Sequence, residues 1–212
     1  MAKGLLFASF DFSTAHADEF HDWYDLEHVP ERLRVPGILN AERWIGADNP
    51  TLSIATYDLE TLGVLRSPPY VAVAGANGSP WTMRVTNKAT RIMRYEGNQL
   101  QPGDAAAPVN AGGLLVASMN IDPSVEEEFN AWYNTEHLPF LAAVPGVLSA
   151  RRYQAEDAGM ARKYLALYHL ESADVAKSDA WQKAAGTPWT ARMRRYFRDL
   201  LVIRCKRYQR GG

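Results

Sequence analysis

Apolar positions along the chain alternate between two periodicities. Residues 4–12 form a nearly continuous apolar run, the pattern of a strand buried on both faces. Between 17 and 29 the pattern steps by four. Glu19, Trp23 and Glu27 make one row, Phe20, Tyr24 and His28 the next, and together they stripe one helix face. Pro30 is expected to end that helix, because the residue before a proline is pushed out of helical geometry. Residues 38–46 and 51–59 read as a strand pair turned by Asp48-Asn49-Pro50. A helical stretch with broken ends at 64–75 follows, then a short helix opened by Ser79-Pro80 and a final strand at 89–96. The order is βαββαβ, the ferredoxin-like pattern.

The same pattern then recurs. Residues 4–44 set against 113–153, at a constant offset of 109, give 18 identities in 41 gap-free positions. Glu19-Phe-His-Asp-Trp-Tyr-Asp-Leu-Glu-His-Val-Pro meets Glu128-Phe-Asn-Ala-Trp-Tyr-Asn-Thr-Glu-His-Leu-Pro, and Val35-Pro-Gly meets Val144-Pro-Gly. Tyr57-Asp-Leu-Glu and Ser79-Pro-Trp-Thr have later counterparts in Tyr168-His-Leu-Glu and Thr187-Pro-Trp-Thr. The division expected is a first ferredoxin-like repeat at 1–97, a Pro/Gly/Ala/Asn linker at 98–112 and a second repeat at 113–212. A four-stranded sheet with both helices on one side leaves its other face bare, so the two sheets should pack face to face as an intrachain pseudo-dimeric α+β barrel.

Both copies keep one helix face while the opposite face drifts, and the kept face ends in Glu27-His28 and Glu136-His137. A histidine in a last helical turn feels the negative end of the helix dipole, and an adjacent glutamate could orient it or raise its pKa. His28 and His137 are therefore candidate acid–base residues, with Glu27 and Glu136 as orienters. The competing reading makes each histidine a cap of its own helix. Trp23, Tyr24, Trp132 and Tyr133 are the candidate aromatic lining. Arg43 and Arg152 share a strand face with Leu and Ala. Facing the helices, Arg43 would pair with a carboxylate such as Glu27; facing the space between the sheets, it could bind an anionic group. His21, Asp25 and His28 have a spacing that can clamp a metal, but the second copy offers Asn130 and Asn134 there, so no metal site is expected. Trp81 and Trp189, with Arg84 and Arg192, read as helix core and surface.

Composition narrows the classes. With 212 residues, 47% of them hydrophobic, the chain can bury a sizeable core. Its 23 basic and 24 acidic residues give no drive towards nucleic acid or membrane. The eight basic residues between Arg192 and Gly212 face only Asp199, which reads as a solvated face. No apolar stretch is long enough to span a bilayer, the amino terminus does not read as a signal peptide, and a lone Cys205 suits a reducing cytoplasm. There is no Gly-rich phosphate loop, nucleophile elbow or paired-cysteine motif.

Trp23-Tyr24-Asp-Leu-Glu27-His28-Val-Pro30 followed by Val35-Pro36-Gly37, with its second copy, resembles the EthD-like branch of the dimeric α+β barrel superfamily. The resemblance covers both halves and implies the barrel already inferred, here fused in one chain. The superfamily includes polyketide cyclases, muconolactone isomerases, cofactor-free monooxygenases and haem enzymes, so it does not choose a reaction. Carried over residue by residue, it points to His28 and His137. The expectation is a cofactor-independent enzyme using acid–base chemistry on a small apolar, aromatic or polyketide-like molecule. The alternatives are a non-catalytic small-molecule-binding or accessory protein and, behind it, a haem protein. The partner expected is a small molecule, with room for a further homodimer of the fused chain. If one site alone works, the richer ionisable surroundings favour that of His28.

Overall fold

The computed structural model describes residues 3–210. Strands β1 (Gly4–Asp11), β2 (Ile38–Gly46), β3 (Leu52–Leu59) and β4 (Thr90–Gln101) are followed by β5 (Gly113–Ile121), β6 (Val147–Ala155), β7 (Tyr164–Leu170) and β8 (Phe197–Arg207). They lie in the order β1-β3-β2-β8-β5-β7-β6-β4 and close on themselves, every neighbouring pair antiparallel. The runs β4-β1-β3-β2 and β8-β5-β7-β6 are each a ferredoxin-like sheet. They join at two short seams, Trp44↔Arg207 to Gly46↔Cys205 and Gly97↔Ala155 to Gln101↔Arg152. Closure gives every strand two neighbours, although the seams cover only one end of β2 and of β6.

Period-two alternation explains the continuous apolar runs. On β1, Leu6, Ala8 and Phe10 pack under the helices, while Leu5 and Phe7 enter the barrel and meet Leu114, Val116 and Leu167. A third core lies under the helices of the second sheet, around Leu115, Phe129 and Tyr168. The barrel interior is less apolar than the bare sheet face read from the sequence. Glu42, Asp58, Gln99, Arg151 and His169 are all buried, and they survive there because they bond one another across the two sheets. Arg151 donates to Asp58 at 2.7 Å, and His169 Nε2 lies 3.0 Å from Glu42.

The first helix corrects the sequence reading. Helix α1 (17–33) runs straight through Pro30: Ala17–Trp23 is followed by a π-helical turn, Tyr24–His28, and by Val29–Leu33. In that turn the Val29 N–H donates to the Tyr24 carbonyl, five residues back. The widened turn accommodates a ring that has no N–H to offer, and Pro30 falls in the first turn of the next segment, where proline fits. Helix α4 (126–142) repeats this at Tyr133–His137 and Pro139. The remaining helices are α2 (Pro68–Val71), α3 (Pro80–Lys88), α5 (Asp179–Ala185) and α6 (Pro188–Met193). The Ser79 and Thr187 hydroxyls accept the Thr82 and Thr190 N–H groups, the caps that Ser-Pro and Thr-Pro promised. The Val-Pro-Gly motif turns each first helix into the next strand. Gly37 has φ +90°, and a Cβ there would lie 2.5 Å from Val64 Cγ2.

Strand β4 continues to Gln101, and the stretch after it is tied down. The Gln99 side chain bonds the Ala105 backbone both ways, and the Ala107 N–H donates to Asp58. No helix among the described residues is long and apolar enough to cross a membrane.

Candidate functional site

Each sheet holds a cavity between itself and its own helices. The first, of about 90 Å³, is built on Trp23, Tyr24, His28, Tyr57 and Thr82. The second, of about 170 Å³, is built on the matching Trp132, Tyr133, His137, Tyr168 and Thr190. The repeated motif therefore marks two cavities in corresponding places. Of the sequence candidates, both histidines and all four aromatic residues are lining residues; Arg43, Arg152, Glu27 and Glu136 are not.

The π-helical turn sets each histidine. His28 ends the turn and lies against the indole of Trp23, ring centroids 4.5 Å apart, and edge-on to Tyr24 at 5.2 Å. His137 repeats this against Trp132 at 4.4 Å and Tyr133 at 5.0 Å. Both Nδ1 atoms are sealed from solvent and have no hydrogen-bond partner among the described residues. The helix continues past each ring, so neither caps a helix end. The helix-dipole expectation of a protonated imidazole is reversed. Burial, reinforced by Arg32, Arg43 and Arg94, holds His28 well below the ordinary histidine range. Burial with Arg194 and Arg152 brings His137 down to about 3. Both rings are neutral at neutral pH.

The glutamates do not touch the histidines. Glu27 accepts from Ser79 Oγ at 2.5 Å and from Thr82 Oγ1 at 3.2 Å, and Trp23 Nε1 in turn donates to Thr82 at 2.9 Å. In the second unit Glu136 accepts from Thr187 Oγ1, and Trp132 Nε1 donates to Thr190. Each carboxylate therefore locks the π-helical turn to the start of α3 or α6, and the cavity-lining tryptophan is oriented through the threonine.

Arg43 faces the helices, and its carboxylate is Asp25 at 2.6 Å rather than Glu27; its other amino group meets His21 Nδ1 at 2.9 Å. Its guanidinium sits between the rings of Tyr24 and Tyr208, so the residues after β8 fold back over the first helix. The His21-Asp25 pair thus serves an arginine. Arg152 bonds Asn130 at 2.6 Å and Asn134 at 2.8 Å and lies over Phe129, Tyr133 and Tyr164. Both arginines brace the helices from behind. Arg84 and Arg192 pair with Glu19 and Glu128, and the basic carboxy-terminal stretch is largely paired, with Arg198, Arg204, Arg207 and Arg210 on Asp122, Asp48, Glu42 and Asp22.

Sequence reasoning missed several lining residues. Tyr57 and Tyr168 sit in the repeat match, which was signal enough. Burial keeps both phenols protonated, raising their pKa well above the ordinary value. Tyr168 bonds Tyr133 at 3.1 Å, whereas the buried Tyr57 hydroxyl has no partner among the described residues. Arg32, Arg91 and Arg94 line the first cavity only, where the second has Leu141, Leu200 and Val202.

Comparison with known proteins agrees on architecture. Residues 114–205 match the model of a family described as a domain of unknown function (DUF4286). Among solved structures, an anthrone oxidase-like protein superposes with a TM-score of 0.66 at 12% identity, covering 99% of this chain and 92% of that one. A provisionally assigned monooxygenase of Fusobacterium nucleatum gives 0.61 at 8% identity, over 100% and 96%. A single-site variant of chlorite dismutase from Candidatus Nitrospira defluvii gives 0.55 at 14%, over 96% and 91%. These likenesses establish the dimeric α+β barrel fold. No curated protein gives a significant match.

Proposed function

We propose that the chain is an acid–base enzyme of the dimeric α+β barrel class, that it acts without a resident cofactor, and that its substrate is a small aromatic or polyketide-like carbon acid held in the helix–sheet cavities. One observation carries this reading: two histidines at equivalent places line cavities, neutral, each with a buried Nδ1 that has no partner among the described residues. The two histidines held by charged partners differ from them: His21 Nδ1 meets Arg43 and His169 Nε2 meets Glu42, although His169 Nδ1 is also unpartnered, whereas neither His28 nor His137 makes a side-chain hydrogen bond among the described residues. Burial alone opposes charging the imidazole, so the ring would take a proton only from a ligand whose developing negative charge lies beside it, and the phenolic hydroxyl of Tyr57, which lines the same cavity as His28, would donate to the oxygen that gains that charge. The resemblance of the motif to the EthD-like branch, and structural neighbours named as an anthrone oxidase-like protein and a provisionally assigned monooxygenase, support an enzyme of this barrel class.

Phenylacetone, a single-ring carbon acid, in deuterated buffer provides the test. The protein should accelerate exchange of its benzylic C–H, followed by NMR, and His28→Ala or His137→Ala should lower the rate by about 10²–10⁴-fold, the usual worth of a positioned base. Exchange unchanged in both His28→Ala and His137→Ala would leave the cavities as binding sites without catalysis. An absorption band of bound haem in the purified protein would replace the reading outright.

A further inference from the structure

The two cavities share their floor and differ at their rim. Each has a Trp-Tyr-His trio, a tyrosine from the third strand of its sheet and a threonine from the last helix of its unit. Around that common floor the two copies differ. Arg32 corresponds to Leu141 at the offset of 109, and the strand registers set Arg94 against Val202 and Arg91 against Asp199, which does not line the second cavity; Leu200 lines it instead, and Arg194 stands where the first cavity has Thr86. Three guanidinium groups line the first cavity and one lines the second.

We propose that the cavities take ligands of opposite character: the first a small aromatic carboxylate or similarly anionic ring, the second a neutral apolar ring. This rests on the reading of both cavities as ligand sites, but not on either histidine moving a proton.

In the first cavity the positive groups outnumber their partners. Arg32, itself buried, shares Glu31 at 3.1 Å. Arg94 is held by Glu96 at 2.6 Å and by the Tyr70 hydroxyl at 3.2 Å. Arg91 makes no ion pair among the described residues and lies over the Phe10 ring at 5.5 Å. Arg91 and Arg94 also border a shallower surface pocket with Tyr70, Ala74 and Gly75, which shares those residues with the cavity and forms its mouth. The floor, of about 90 Å³, is smaller than one ring, so the ligand's ring would lie in the mouth, of about 340 Å³, with one edge towards Trp23 and His28 and its carboxylate on Arg91 and Arg94. The unpartnered Tyr57 hydroxyl, 2% exposed, offers a further donor inside. Burial chiefly, with Arg32, Arg43 and Arg94 adding to it, lowers the pKa of His28, in keeping with positive groups close to the floor.

The second cavity offers little to an anion. Its rim is Leu141, Leu200 and Val202, and its tyrosines bond each other. Arg194 alone among its lining residues is cationic. An apolar cavity of about 150 Å³ is enough to hold benzene, so this one admits a single ring.

The two indole N–H groups make the test site-specific, because Trp23 and Trp132 each line one cavity and donate to one threonine. The full-length protein is titrated with benzoate and, separately, with toluene, while the two indole signals are followed by ¹⁵N–¹H NMR. Benzoate should move the Trp23 signal and toluene the Trp132 signal. Arg91→Gln and Arg94→Gln should each weaken benzoate about tenfold or more, as loss of a charged hydrogen-bond donor does, without changing toluene binding. Arg91 is exposed and unpaired, so its replacement reads binding free of any folding defect. Val202→Arg should bring benzoate to the second cavity. Benzoate that leaves Trp23 unmoved at millimolar concentration, moves both signals alike, or ignores both arginine substitutions overturns the proposal. If the probes partition as expected while phenylacetone exchange ignores His28→Ala and His137→Ala, the partition stands and only the acid–base role falls.

Discussion

A neutral histidine in a folded protein leaves a trace in stability. Above about pH 6.5 both the folded and the unfolded imidazole are unprotonated, and His28 and His137 cost nothing. As the pH falls, the unfolded chain binds a proton that the folded chain refuses, since His137 is held down to about 3 and His28 well below its ordinary value. Unfolding should therefore become easier from about pH 6.5 downwards, by about 1.4 kcal/mol per pH unit for each such histidine. Urea midpoints between pH 7 and pH 5 should show this, and His137→Asn should flatten the slope by about one histidine's worth. A slope unchanged in that variant would mean that the folded ring takes up protons freely. The tyrosines give a second contrast. Tyr57→Phe removes a hydroxyl that has no partner among the described residues and should change stability by less than about 0.5 kcal/mol. Tyr168→Phe leaves the buried Tyr133 hydroxyl without its partner and should cost about 1–3 kcal/mol. Equal costs in the two variants would show that Tyr57 bonds a group of its own.

Among the elements, the strands were the more legible. The pair at 38–46 and 51–59 and the run at 4–12 are found within a residue or so, because an alternating or continuous apolar pattern depends only on which faces are buried. The first helix was misjudged at its most informative point. Read locally, Pro30 stops a helix; in the fold, one widened turn absorbs it, and the row Phe20, Tyr24, His28 continues to Arg32. Taking the proline as a terminator hid Arg32 and made His28 look like a helix-end residue. Hydrogen-bond partners were the other gap. The repeat showed that Glu27 and Arg43 were kept together, yet each found a different partner, Ser79 with Thr82 and Asp25, because pairing depends on side-chain direction that spacing does not carry. The Val-Pro-Gly turn is an element-level feature that the sequence did display. Gly37→Ala should cost more than about 1 kcal/mol, as a Cβ at φ +90° is strained and meets Val64. A thermal midpoint equal to the parent's would mean that the turn relaxes.

For the whole molecule, the barrel interior explains what fusion of two similar sheets makes available. At equivalent positions the first sheet carries Glu42 and Asp58 where the second carries Arg151 and His169. Across the barrel Asp58 meets Arg151 at 2.7 Å and Glu42 meets His169 at 3.0 Å, all four buried. A sheet of the first kind facing its own copy would set carboxylates against carboxylates in the buried interior, so the two inner faces are complementary to each other and not to themselves. Such pairs are costly to break and need not be costly to replace. Arg151→Leu alone strands a buried Asp58, which also holds the Ala107 N–H, and should cost about 3–5 kcal/mol; Asp58→Leu strands a buried Arg151 at a similar cost. The double variant removes both charges, and its loss should be well below the sum of the two singles and close to or smaller than either one, read by urea denaturation as a coupling of about 2 kcal/mol or more. Additive losses would mean that the two groups do not sense each other. The pair would then be a local accommodation, and the preference of one sheet for the other would rest on shape alone.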